Sequence, residues 1–201
     1  MDLQKISVKF FVARPDGVRL AEFIDVFNSW IQASDGDYYD VADYSHMEAG
    51  PGILLISHEA HISMDNAGNR LGLLYNQRQP LSGSNAEKLQ FVFRAALEFC
   101  LRIENEAALG GRIKFRGAEA LLLINDRLLA PNTEETLRAL KPELEGLAKI
   151  LYGGADFALR HNPDPRQRFG VFMKTPHSFE LDRLLENLGG FGGRLQGVGA
   201  T

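Results

Sequence analysis

A chain of 201 residues, 45% hydrophobic and 24% charged, with a formal net charge of −4, has the make-up of an ordinary globular protein and is long enough to bury about 70% of the surface its unfolded form exposes. Its lysines and arginines are scattered along the chain, so it lacks the basic stripe that a phosphate backbone requires, and nucleic acid is not an expected partner. The single cysteine, Cys100, closes no internal disulfide, and the apolar runs fall well short of the roughly 20 residues of a membrane span; the expectation is a cytoplasmic protein with no membrane partner.

Residues 5–14, KISVKFFVAR, alternate Ile6, Val8 and Phe10 with Lys5, Ser7 and Lys9. This spacing predicts a half-buried strand that ends at the turn Pro15-Asp16-Gly17. Over residues 18–33, Leu20, Phe23, Ile24, Phe27 and Ile31 recur at helical spacing while Glu22, Asp25, Asn28 and Gln32 face away, which predicts an amphipathic helix. Residues 37–77 then read as three strands, near 38–44, 52–64 and 70–77. The middle one opens with Ile53, Leu54, Leu55 and Ile56, apolar on both faces as a central strand is.

Ser84 and Glu87 form an S-x-x-E capping box before a helix over residues 85–108, with Leu89, Phe93, Ala96, Cys100 and Ile103 on its stripe and Gly110-Gly111 at its end. Residues 112–115 and 118–129 read as a hairpin or as one strand kinked at Gly117. Asn132 is expected to cap a helix over residues 133–152, and Pro142 to kink it or split it after Leu140. Strands at 156–160 and 168–174 flank the loop HNPDPRQ, Ser178 opens a last helix, and the glycine-rich residues 189–201 read as a flexible tail.

This order belongs to the α+β class, with mixed or antiparallel sheets and helices packed on one face. Each half follows the grammar of a split β-α-β unit, so two ferredoxin-like halves, residues 1–116 and 117–188, within a single globular unit 1–188 are the leading architecture. The alternative is a single mixed sheet covered by helices.

No motif in the chain dictates a reaction. His58-Glu59-Ala60-His61 lacks the spacing of the zinc-protease motif, and on a strand its two histidines point to opposite faces, so no metal is assigned. Asp37, Asp40 and Asp43 among tyrosines suit a polar edge strand, and Gly50-Pro51-Gly52 precedes a strand, the wrong order for a phosphate loop. Cys100 falls on an apolar helical stripe as a small buried hydrophobe. The candidates for catalysis are Asp43, His46 and His58, expected to meet where the 44–52 turn joins the outer half of the long strand, with His61 facing solvent. Arg160, His161 and Arg166, on or beside the loop between the last two strands, are the candidates for receiving a carboxylate or phosphate. The pattern favours a non-catalytic module that binds a small ligand or assembles, with a small anionic metabolite or a second copy of the chain as partner and no cofactor. The alternative is a hydrolase or lyase that uses the His/Asp cluster, with or without a metal.

Overall fold

A computed structural model describes residues 1–14, 17–47 and 50–189. The expected turn at Pro15-Asp16, part of the 44–52 turn and nearly all of the expected tail lie outside the described residues. Eight strands, β1 (Ile6–Val12), β2 (Tyr38–Tyr44), β3 (Gly52–Ser57), β4 (Ala60–Asp65), β5 (Gly72–Gln77), β6 (Phe115–Ile124), β7 (Ala158–His161) and β8 (Phe169–Lys174), join one sheet. Their order is β2-β3-β4-β5-β1-β6-β8-β7, and every neighbouring pair is antiparallel. The sheet is therefore antiparallel rather than mixed. Among the described residues four α-helices accompany it, α1 (Glu22–Ala33), α2 (Asn85–Glu104), α3 (Glu134–Leu151) and α4 (Leu181–Asn187).

The periodicity of β1 sets the core. Val8 lies between Tyr75 and Leu122, and Phe10 between Leu73 and Ala120, all on the face where Phe10 meets Phe93 of α2 edge to face. α2 packs on β1 and β5, α1 on β2 and β3, and α4 on β6, while α3 packs against α2 and α4. Trp30 of α1 touches Phe99 of α2, so the four helices form one layer on that face. α2 starts where its capping box predicts: the Ser84 hydroxyl accepts from the Glu87 amide, and the Glu87 carboxylate accepts from the Ser84 amide at 2.7 Å.

Several expected elements take a different form: β1 is buried on both faces rather than half-buried, and the last helix starts at Leu181 with Glu180, not Ser178, before it. The long strand over residues 52–64 is a hairpin of β3 and β4, because the Ser57 hydroxyl donates to the Ala60 carbonyl at 2.6 Å and accepts from its amide, closing a tight turn with His58 and Glu59 at its tip. α3 is continuous through Pro142, an exposed position, and its cap is Thr133, whose hydroxyl accepts from the Thr136 amide. Residues 115–124 form one strand through Gly117, as one of the two readings of that segment has it.

The halves share the sheet. β6 and β7, joined by α3, are parallel with β8 between them, the arrangement of a split β-α-β unit. β1 and β2, joined by α1, are parallel with three strands between them.

Candidate functional site

The residues singled out from the sequence do not converge. Asp43 lies at the end of β2 that pairs near Gly52, beside the turn that carries His46, whereas His58 is at the opposite end of β3. At about 3.3 Å per residue the length of β3 separates them by about 16 Å. Asp43 takes part in its own turn: bonds from the Ser45 hydroxyl and amide hold its carboxyl below the usual range, with a smaller contribution from His46. His61, expected to face solvent, is half-buried on β4. Burial lowers its proton affinity, and Arg78 adds to the effect.

The second group is divided in the same way. Arg160 and His161 are consecutive on β7 and so point to opposite faces. Arg160 is exposed opposite Phe172. The His161 ring is buried against Phe169, with Nε2 2.8 Å from Asn132 Oδ1 and Nδ1 3.3 Å from Glu134 Oε1. Asn132 in turn donates to the carbonyls of Asn162 and Asp164, so His161 anchors the β7–β8 loop to the start of α3. Arg166 is exposed and forks onto Asp164. Cys100 is buried on α2, and that burial raises its thiol well above the ordinary value. Among the described residues no three His, Cys, Asp or Glu side chains are grouped to hold a metal.

What the fold assembles instead is the face of the sheet opposite the helices. Strand pairing carries one row across all eight strands: Ala42, Leu54, Ser63, Leu74, Lys9, Leu121, Phe172 and Arg160 lie opposite one another in turn. Among the described residues no helix covers this row, and Leu54, Leu74, Leu121 and Phe172 remain half-exposed along it. Lys9, at its middle, is only 3% exposed. Its ammonium reaches across β5 to Asp65 on β4, an ion pair buried at both ends. Gly72 permits the crossing, since a Cβ there would lie 2.8 Å from the Lys9 Cε and 2.4 Å from the Phe10 carbonyl oxygen. Burial lowers the proton affinity of Lys9, with Arg70 in the same direction and Asp65 opposing.

Next to this pair, Arg70 lies over the Phe11 ring at 3.7 Å and forks onto Glu119 at 2.9 and 2.7 Å. Lys174 takes the same carboxylate at 2.9 Å, and Phe11 stacks on Phe172. Burial opposes ionisation of Glu119, but the bonds from Arg70 and Lys174 outweigh it and hold its carboxyl below the usual range. Lys9 and Asp65 neutralise each other out of reach of solvent, so neither can act on a substrate. The arrangement can receive another surface or an anion. Comparison with known proteins gives no match, whether to a family model, a curated protein or a solved structure. The geometry alone therefore carries the functional argument. Its one signal in the sequence is Lys9, a charge at the centre of a strand whose position in the sheet the sequence does not fix.

Proposed function

We propose that the protein is a non-catalytic assembly module that pairs with a second copy of itself through the helix-free face of its sheet. The observation that carries this reading is the row from Ala42 to Arg160, along which Leu54, Leu74, Leu121 and Phe172 remain half-exposed and whose two ends lie beside opposite charges. Asp40 lies one row over on β2, while Arg160 and Lys174 stand at the β7–β8 end. A two-fold axis parallel to the strands lays the acidic end of each copy over the basic end of the other, so the face is complementary to itself. Eight strands about 4.8 Å apart, each about 20 Å long, present roughly 700 Å², close to the ~800 Å² that each partner buries in a stable interface. Apolar rows of two sheets packed in this way interdigitate as in a β-sandwich.

Light scattering and sedimentation over a micromolar concentration range test the pairing. The expected species is a dimer that weakens as salt rises. Asp40→Arg and Arg160→Glu should each weaken it about tenfold, and the double variant should recover most of the loss, because each copy then carries the exchanged charges. A monomer at the highest concentration, or a double variant no better than either single one, overturns the reading.

A further inference from the structure

At one rim of the same face, Phe11, Val12, Asn69, Arg70, Leu71 and Arg116 line a half-open cavity of about 150 Å³, beside the row described above. Its walls are shaped by an irregularity of β6. Phe10 pairs with Ala120, yet Val12 pairs with Phe115, so residues 116–119 oppose Phe11 alone. A bulge of this kind re-aims the side chains it carries, and here it brings Arg116 and Glu119 to the side of Arg70. Gly117 fixes the bulge from behind: a Cβ there would stand 2.1 Å from the Phe179 carbonyl oxygen. Opposite, Asn69 holds a left-handed backbone, with φ of 55°, at the point where the chain turns into β5.

The charges around this cavity do not balance. Among the described residues, Lys9 is matched by Asp65, Arg70 and Lys174 share the carboxylate of Glu119, and Arg116 donates to the Ala13 carbonyl at 3.1 Å. Among the described residues, four cations thus face two carboxylates. Arg70 is already oriented by its stacking on Phe11 and its fork on Glu119, and it retains donors beyond the two that fork uses. A second guanidinium across a cavity of this size is the arrangement that receives the planar or tetrahedral oxygens of a small anion. The volume is below the roughly 300 Å³ at which sites for whole cofactors begin, so the cavity is sized for a charged group and not for a nucleotide. We propose that the Arg70–Arg116 cavity is a binding site for a small oxyanion, a carboxylate or a phosphate group.

The test is a titration of the intact protein with inorganic phosphate in one arm and acetate in the other, at constant ionic strength, followed by backbone amide chemical shifts. The expected result in at least one arm is a saturable shift at Phe11, residues 69–72 and Arg116, and the arm that responds identifies the group. Arg116→Gln should weaken that binding about tenfold or more, the loss expected for one charge-assisted hydrogen bond, with the spectrum elsewhere unchanged. Arg138→Gln, which removes an equal charge from an exposed position of α3, should leave the titration as it was. Failure of both anions to produce a saturable response overturns the proposal, as does equal weakening by the two variants, which would mark a general effect of net charge. The dimer reading is read out separately, by mass, and stands or falls without this site.

Discussion

Lys9 is the residue on which the helix-free face turns. A lysine 3% exposed at the middle of a central strand is costly to desolvate, and its pairing with Asp65 offsets that cost only while both partners are present. Lys9→Met should therefore destabilise the protein by about 3–5 kcal/mol, because it leaves a carboxylate buried without its counter-charge. Lys9→Met combined with Asp65→Leu should recover most of that loss, less about 1 kcal/mol for the bond that Asp65 accepts from the Ala67 amide at 3.2 Å. Urea unfolding of the two variants measures the difference. Equal stabilities for the single and double variants would show that the buried charge is not what the pair neutralises.

The elements of this fold repeat the same relation between local pattern and long-range contact, and β6 shows it best. Its doubly apolar run, Leu121 to Ile124, marks a central strand, whereas the bulge before it brings residue 117 against the Phe179 carbonyl, which leaves no space for a side chain there. Gly117→Ala should cost about 1–3 kcal/mol by overpacking and should shift the amide signals of Arg116 and Glu119 more than those of Leu122. Uniform small shifts would mean that the bulge is not held from Phe179. The strand spacing of β1, the capping box of α2 and the helical spacing of α1 were legible in the sequence because each pattern is written within its own element, whereas the burial of β1 on both faces and of Val26 and Trp30 on α1 depends on the elements packed against them. The β3–β4 hairpin was not, since His58-Glu59 carries no glycine or asparagine and the turn is closed instead by the Ser57 hydroxyl. The candidate site was illegible for a related reason. Arg70, Glu119 and Lys174 meet only through the order and register of strands distant in sequence, which apolar alternation within a strand does not specify.

At the scale of the whole molecule, the chain starts in the middle of the sheet and builds outward in both directions: α1 leads from β1 to the β2 edge, and α2 leads back over β1 to β6. The two crossovers are tied together by Arg112, on the segment entering β6, which meets Glu22 of α1 at 2.6 Å and also donates to the Gly17 carbonyl at 2.8 Å. Glu22 accepts from the Arg19 amide as well, and these bonds, with that from Arg112 the largest, draw its carboxyl from the ordinary value of 4.5 down to about 2. A carboxylate held lower in the folded than in the unfolded protein stabilises fully above pH 4.5, and that stabilisation is lost as pH falls towards 2. The urea midpoint of the natural chain should therefore fall across this window. Glu22→Gln, which cannot ionise, should lie below it at pH 6 and converge with it by pH 2. Glu119 and Asp164, also held below their ordinary values, titrate in both proteins, so the difference between the two curves reports Glu22 alone. A gap of constant size from pH 6 to pH 2 would mean that the Glu22–Arg112 contact does not join the two crossovers in solution, and that the helix layer is held by its apolar packing alone.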